Sequence, residues 1–413
     1  MTEFYKGNKA NFTTKQVQSL CIIIALDFTV ILNMNIVNPL GFQFIKQLAI
    51  TTEQLGWLVS IYALSTVVSG VIATAFVDKF ERKKLLSITY SGFMAGLLLA
   101  SLTDSYELLL LSRIVTGVFG GISFATAIAL TTDLFSIESR GKALSYKRLS
   151  FPMYQLAGIP IVLWLSEESW QLPLRLLLVV CVIVLFGIQR ILPHSESDTN
   201  IEKEQDDLQH WTAILSSPKF LPAYGFAFLF ATGAFMLDPY FTTYLTQNLG
   251  LSASQLPMVF TITGIVSVIA TPVIGYLSEK FNIYKLLSFS SVTLIFFIIY
   301  FTNLTNASFT MVTILMCAGY VSVSVRGVAA GVLITSLPAP NERASFANIC
   351  NALEQVGGAV AAYLGTMILV QNTDKKLVNF DLAGYFVCIS IVITVILMYF
   401  SNQYFRRIRS TLH

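Results

Sequence analysis

Several ionisable residues lie inside long apolar stretches of the sequence, where a charged group is costly and is therefore a functional candidate by default. They are Asp27, Arg113, Asp238, Arg326 and Glu354. The three histidines all lie in polar segments of the chain instead. Proton exchange within the apolar stretches would therefore need a carboxyl group, and Asp27 and Glu354 are the candidates.

The two arginines of this set can act on those carboxyl groups or on a ligand. We predict that Arg113 pairs with Asp27 and modulates its protonation, and the alternative is an ion pair that only holds helices together. Arg326 is a candidate for binding an anionic substrate group or an internal carboxylate such as Glu354. A purely structural role for Arg326 is the alternative.

The elements that must position these residues are membrane-spanning helices. Of the 413 residues, 12% are charged and 55% are hydrophobic, whereas soluble domains contain roughly 25% charged residues. A helix needs about 20 largely apolar residues to cross a bilayer. Twelve such stretches occur, at residues 17–42, 54–77, 85–103, 107–135, 142–165, 172–192, 219–246, 255–277, 285–303, 308–336, 344–370 and 380–402. The sequence therefore predicts an all-α polytopic membrane protein with twelve transmembrane helices in two six-helix halves.

Basic residues between the spans indicate the orientation of the chain. With both termini in the cytoplasm, most Lys and Arg residues outside the spans face the cytoplasmic side. We interpret Lys147 and Arg148 as residues whose charged ends snorkel to that surface. The acidic segment between the sixth and seventh spans predicts a cytoplasmic linker over 193–218, which separates a six-helix bundle over 1–192 from a second bundle over 219–413.

Two cytoplasmic loops repeat one pattern at equivalent places in the two halves. Residues 74–84 read Thr-Ala-Phe-Val-Asp-Lys-Phe-Glu-Arg-Lys-Lys, and residues 275–285 read Gly-Tyr-Leu-Ser-Glu-Lys-Phe-Asn-Ile-Tyr-Lys. Each has a small residue, three intervening residues, and then an acid, a lysine and a phenylalanine. Repeats of this kind are typical of transporters, so the pattern indicates two pseudo-symmetric halves.

The charged residues of these loops predict a cytoplasmic gate. Asp78 is expected to accept hydrogen bonds from the helix N-terminus near Ala344. The lysines of the first loop are expected to pair with Asp133 at the inner end of the fourth span, which would latch the halves together and favour an outward-open state. A loop that only sets the topology is the alternative. The predicted gate consists of Asp78, Lys79, Lys83, Lys84, Asp133, Glu279 and Lys280.

Shorter motifs inside the spans point in the same direction. Residues 111–117 place an arginine one turn before a glycine, and Gly158 and Pro160 interrupt the fifth span as a hinge or a static kink. Together with the two loops, these motifs resemble those of the major facilitator superfamily over nearly the whole chain, although the first loop lacks two of the usual glycines. Residues 39–41 and 353–357 also resemble the bacterial twelve-span drug/proton antiporter and sugar or metabolite efflux group.

The resemblance implies the major facilitator fold, with spans one, four, seven and ten lining a central cavity. It also implies a part in proton coupling for Arg113. Where the related antiporters often have an acid in span one, this chain has Asn33, so coupling through Glu354 and uniport stay open. Aromatic packing is the alternative role for the two tyrosines among the predicted substrate contacts. These contacts are Arg326, Tyr62, Asn33 and Tyr240.

The sequence as a whole predicts a secondary active transporter that works by alternating access and exports a small organic compound by proton antiport. Import or facilitated passage of a metabolite or siderophore is the alternative, and a non-transporting sensor is the alternative from another class. No GxxxxGK[ST] motif occurs, and no catalytic cluster lies in the spans, so we expect neither an ATP-driven pump nor an enzyme. The expected partners are a small-molecule substrate, protons and the bilayer of a bacterial inner membrane, without nucleic acid, cofactor or metal, and with the chain as a monomer.

Overall fold

The computed structural model describes residues 12–74, 80–135, 139, 143, 146–147, 149–193, 213–335, 337–338, 342–374 and 376–411. The chain divides into two compact units. The first unit comprises Met1–Ile50 and Ile61–Thr199, and the second comprises Thr51–Ser60 and Asn200–His413. The start of the third helix thus belongs to the second unit, whereas the sequence placed it in the first half.

The first unit is a helical bundle. Its elements are α1 (Thr14–Asn35), α2 (Val37–Gln47), the larger part of α3 (Thr52–Thr74), α4 (Arg82–Leu102), α5 (Tyr106–Leu134), α6 (Ser150–Met153), a π-helical turn (Tyr154–Gly158), α7 (Ile159–Leu165) and α8 (Leu172–Ile191). Helix α4 packs along α5 and α8, and α1 packs against α5 and α8.

The second unit is also helical, with one short hairpin. Its elements after the start of α3 are a 3₁₀ turn (Pro218–Phe220), α9 (Leu221–Phe235), a 3₁₀ turn (Asp238–Tyr240), α10 (Phe241–Thr243), a π-helical turn (Tyr244–Asn248), a 3₁₀ turn (Ala253–Gln255), α11 (Leu256–Lys280), α12 (Ile283–Thr302), α13 (Phe309–Thr335), α14 (Arg343–Ile368), β1 (Val370–Gln371), β2 (Leu377–Val378) and α15 (Phe380–Thr411). Strands β1 and β2 are antiparallel. Helix α9 packs along α14 and α15.

The twelve predicted spans are confirmed. Nine helical segments in the described part of the chain are long and apolar enough to cross a membrane. The remaining three spans are α3, the interrupted helix from α6 to α7, and α14. Helix α14 is less apolar than the nine because it carries several polar residues, which are Asn348, Asn351, Glu354 and Gln355.

Polar caps begin several of these helices. The hydroxyl of Thr13 accepts a hydrogen bond from the backbone N–H of Gln16, and the Gln16 side chain accepts one from the Thr13 N–H in return. The side chain of Asn282 accepts from two backbone N–H groups at the start of α12. Such caps satisfy N–H groups that have no partner within the helix, so they fix where each span begins.

Two spans of the first unit are interrupted. Helix α1 ends at Asn35 and α2 begins at Val37, two residues before Pro39. Proline has no N–H and its ring clashes with the preceding helical turn, so it breaks the hydrogen-bond ladder. In the fifth span the π-helical turn ends at Gly158, and Pro160 follows in α7. The predicted interruption of this span is therefore present, and its movement as a hinge stays a prediction.

Close packing of α9 on α14 allows a direct test with two glycines of the second unit. A Cβ atom at Gly357 would lie 2.2 Å from the carbonyl oxygen of Phe228, whereas a Cβ at Gly331 would have no atom within 4 Å. We expect Gly357→Ala to destabilise the purified protein by about 1–3 kcal/mol, because backbone atoms must move apart. The matched Gly331→Ala variant is expected to be neutral or to gain up to about 1 kcal/mol, since alanine favours helix. Unfolding temperatures in detergent would measure both, and equal values for the two variants would contradict the packing.

Candidate functional site

A buried ion pair lies in the interior of the first unit. Asp27 is on α1, 13 residues or about 20 Å along the axis from its start at Thr14, and both Asp27 and Lys147 are buried. The Lys147 Nζ atom makes an ion pair with Oδ2 of Asp27 and lies 4.2 Å from the centroid of the Phe124 ring. The second carboxylate oxygen, Oδ1, is buried and has no hydrogen-bond partner among the described residues. The pair brings an acid and a base together at membrane depth.

This pair corrects two predictions. Lys147 does not snorkel to the surface, because its ammonium group is held by Asp27 in the interior. Asp27 is not paired with Arg113, whose guanidinium contacts a different part of α1. Arg148 lies outside the described residues. A lysine stem can point along its helix in either direction, so the sequence alone did not show which end of the span the ammonium would reach.

Arg113 holds the break between α1 and α2. Its Nη1 donates to the backbone carbonyl of Asn33 at 2.7 Å and to the Asn33 side-chain oxygen at 3.3 Å, and its Nη2 donates to the carbonyl of Met34 at 2.9 Å. These carbonyls lie in the last turn of α1, where regular helix bonding is interrupted before Pro39. A guanidinium at a helix C-terminus also lies at the negative end of the helix dipole. Arg113 therefore acts as a side-chain cap for the first half of the broken span.

Two predicted substrate contacts surround this arginine. The Arg113 Cζ atom lies 4.1 Å from the centroid of the Tyr62 ring, and both Tyr62 and Asn33 are 2% exposed. Their polar and aromatic surfaces are thus in contact with Arg113 in this conformation. A substrate role for either side chain stays a prediction.

A second buried cation lies in the second unit. Arg326 on α13 is 4% exposed, and its Nη2 donates to the hydroxyl of Thr394 on α15 at 2.6 Å. Its Cζ atom lies 4.5 Å from the centroid of the Phe230 ring on α9. The described structure does not pair Arg326 with Glu354, which corrects one of the two predicted partners. The two side chains lie on different helices, and the contacts of Arg326 are with α9 and α15.

Two other predicted site residues lie in the second unit. Glu354 has no polar contact among the described residues, and Tyr240 is less exposed than a substrate contact would suggest. Glu354 is half-buried on α14 and makes no hydrogen bond or ion pair within the described residues. Tyr240 is fully buried, and its hydroxyl donates to the backbone carbonyl of Thr52 at 3.3 Å. Proton coupling by Glu354 and substrate binding by Tyr240 stay predictions.

The cytoplasmic gate is only partly within the described residues. Asp133 pairs with Arg82, with Nε and Oδ2 3.3 Å apart, and not with Lys83 or Lys84. Helix α4 begins at Arg82, and the next two residues point away because each is rotated by about 100° around the axis. Asp78 and Lys79 lie outside the described residues, as does the side chain of Glu279. Lys280 is exposed and lies 4.4 Å from the centroid of the Tyr276 ring.

The sequence identified the buried charged residues, but it did not identify most of the residues that they contact. Lys147 was present inside a predicted span, and its position there was the signal that it could be a buried ion-pair partner of Asp27. The roles of Thr394 and Phe230 had no signal in the sequence, because neutral residues of these types are common in apolar helices. No group of three or more His, Cys, Asp or Glu residues among the described positions is placed to hold a metal ion.

Helices that are long and apolar enough to cross a membrane, with charged side chains buried among them, define a multi-pass membrane protein in the described part of the chain. The sequence matches the family model of the Major Facilitator Superfamily over residues 23–362 and 223–411. The chain belongs to this superfamily and is a secondary transporter.

Known relatives and solved structures agree with this assignment. The MFS-type transporter YceJ of Bacillus subtilis is 24% identical, with the match covering 80% of this chain and 84% of the relative. Multidrug resistance protein 2 of the same organism is 19% identical over 91% of this chain and 94% of its own. Among solved structures, the nucleoside transporter NupG has a TM-score of 0.72 at 14% identity, over 94% of this chain and 99% of that one. The D-xylose-proton symporter has a TM-score of 0.70 at 15% identity, over 94% and 96%, so these two share the fold.

Proposed function

We propose that the protein exports small organic compounds, drug-like molecules or metabolites, across the bacterial cytoplasmic membrane in exchange for protons. Both termini face the cytoplasm, and the transport cycle follows alternating access between two six-helix halves. The observation that carries the proposal is the buried ion pair of Asp27 and Lys147.

A buried carboxylate paired with an ammonium group is a natural proton switch. The pair is close to neutral while both groups are charged, and its attraction offsets part of the cost of burial. A proton arriving on Asp27 removes the negative charge and leaves Lys147 as an uncompensated buried cation, which is strongly unfavourable. The ammonium must then move towards a wetter environment or lose its own proton. Protonation is therefore tied to rearrangement of the first unit, as coupled transport requires.

Arg113 supports the same cycle by another route. Its contacts with the carbonyls of Asn33 and Met34 hold the broken span in one geometry. Asp27 lies on the same helix a little more than two turns before that break. A change in the bend at the break would therefore change the position of the carboxylate that binds the proton. We propose that Arg113 couples the position of α2 to the state of Asp27, and that the inner loops around Asp78 and Glu279 gate the cytoplasmic side.

The direction of transport rests on the relatives. Multidrug resistance proteins 1 and 2 of Bacillus subtilis are 25% and 19% identical to this chain over 62% and 91% of its length. The names of these two relatives support export of organic compounds. The probable sugar efflux transporter of Mannheimia succiniciproducens, 23% identical over 52% of this chain, supports the same direction.

The experiment that tests the proposal uses everted membrane vesicles from a host without its own drug pumps, with and without this protein. The dyes ethidium, rhodamine 123 and fluorescein serve as probes. We expect uptake of at least one dye into the vesicles when their interior is acidified, and loss of that uptake when a protonophore removes the gradient. Vesicles without the protein are the control.

Two results would contradict the proposal. Protein-dependent dye movement that is the same with and without the pH gradient would make the protein a uniporter. Gradient-driven dye accumulation in right-side-out vesicles, and not in everted ones, would make it an importer.

A further inference from the structure

The second unit contains a buried cation whose charge no carboxylate among the described residues neutralises. Arg326 lies nine residues, or about 14 Å along the axis, before the end of α13 at Thr335. Its side chain is buried, and no ion pair joins it to a carboxylate in the described part of the chain. In the first unit, by contrast, Lys147 has Asp27. A guanidinium at this depth is costly to keep without an anion.

The contacts of Arg326 satisfy only part of the guanidinium. Nη2 donates to the Thr394 hydroxyl, which itself donates to the carbonyl of Ile391 at 2.7 Å. The Phe230 ring covers one face of the group. The Nε atom is buried and has no hydrogen-bond partner among the described residues. A side chain that only braced three helices would be expected to satisfy its buried donors, because an unmade hydrogen bond costs stability.

The residue after this arginine lies on an uncovered part of the same helix. A Cβ atom added at Gly327, which follows Arg326 on α13, would have no atom within 4 Å. The described residues therefore do not cover α13 at the position next to Arg326.

We propose that Arg326, together with Thr394 and Phe230, recognises the anionic group of the transported compound, so that the substrates are organic anions such as carboxylates or sulfonates. This inference rests on the proposed transport function and narrows its substrate class. The flat guanidinium suits the two oxygens of a carboxylate, with Nε as the free donor. The Phe230 ring holds the guanidinium plane in place from one side.

The test compares two dyes that share a xanthene ring system and differ in charge. Fluorescein is anionic and rhodamine 123 is cationic. Binding to the purified full-length protein in detergent is measured by fluorescence polarisation. We expect fluorescein to bind the wild type, and Arg326→Met to weaken that binding by on the order of tenfold to a hundredfold. Lys376→Gln, which removes an exposed cation of the same unit, is the matched control and is expected to bind as the wild type does.

A second variant keeps the test decisive if Arg326→Met fails to fold. Arg326→Lys retains the charge and loses the planar pair of donors, so we expect it to fold and to bind fluorescein more weakly than the wild type. Absence of fluorescein binding to the wild type, or equal binding by the wild type and both Arg326 variants, would overturn the anion site.

Failure of this inference can be separated from failure of the proposed function. Proton-driven export of rhodamine 123 without binding of fluorescein would overturn the anion site and leave proton-coupled export standing. Binding of fluorescein that depends on Arg326, with fluorescein flux that ignores the pH gradient, would support the anion site and overturn proton coupling.

Discussion

Replacing either partner of the Asp27–Lys147 pair is expected to destabilise the protein by about 3–5 kcal/mol, whereas replacing both is expected to restore most of the lost stability. Asp27→Leu leaves a buried ammonium group without its anion, and Lys147→Met leaves a buried carboxylate without its cation. The double variant contains neither charge and keeps apolar side chains of similar size. Exchange of a buried ion pair for apolar residues is often neutral or stabilising, so the effects should be strongly non-additive.

The two single variants and the double variant are expected to differ in stability but not in transport. All three variants lack the paired proton switch, so dye uptake into acid-loaded everted vesicles should fall to the level of vesicles without the protein, including in the stable double variant. Unfolding temperatures in detergent and vesicle uptake measure the two properties on the same preparations. Ser19→Ala, a change at a buried position on α1, is the control and should retain both.

Two outcomes would count against this account of the pair. Gradient-driven uptake by the double variant would remove Asp27 from the coupling mechanism. A double variant that loses the sum of the two single losses would show that the two charges do not stabilise each other.

Replacing Arg113 by Met is expected to abolish transport and to lower stability by about 1.5–3 kcal/mol for each charge-assisted hydrogen bond that is lost. The carbonyls of Asn33 and Met34 would then lose the donors that Arg113 supplies at the break in span one. Arg113→Lys keeps the charge but cannot place two donors on adjacent carbonyls at once, so an intermediate loss is expected. Arg190→Met removes an exposed arginine over Phe186 at the end of α8 and is the control.

A second change in the same span separates the capping role from a loss of charge. Pro39→Ala restores an N–H group and removes the ring that breaks the helix. In the Arg113→Met background it should recover part of the lost stability, because a continuous helix would satisfy the carbonyls of its own last turn. Transport should stay low, since the bend itself would be lost. Unfolding temperatures that are no higher in the double variant than in Arg113→Met would contradict the capping role.

The twelve spans could be predicted from sequence because a bilayer allows few backbone conformations to cross it. Long apolar runs must form helices that satisfy their own backbone groups, and proline predicts where those helices break. The interruption at Gly158 and Pro160 followed from residue type alone. The separation of α1 and α2 near Pro39 was not predicted, because span one was expected to run without a break over 17–42. The part of α3 that belongs to the second unit was not predicted, because helix-to-unit contacts depend on packing between distant segments.

The partners of the buried charges could not be predicted in the same way. Depth along a helix follows from residue number, but the direction in which a side chain points depends on how each helix is rotated in the bundle. Asp27 and Arg113 were therefore correctly placed inside spans one and four and incorrectly joined. The prediction did not consider the backbone as a partner. The carbonyls of Asn33 and Met34, near Pro39, accept hydrogen bonds from Arg113, and Asp27 pairs with Lys147 instead.

The π-helical turns at Tyr154–Gly158 and Tyr244–Asn248 bear on how the length of this chain can vary. A π turn holds one residue more than the α-helical path that it replaces, so the side chains before and after it keep their places around the helix when that residue is removed. Elsewhere in a span, a single deletion would rotate every later side chain by about 100° and move the buried face towards lipid. One-residue gaps in span five or span seven are thus compatible with an unchanged core, and a relative without these turns would align with this chain through such gaps.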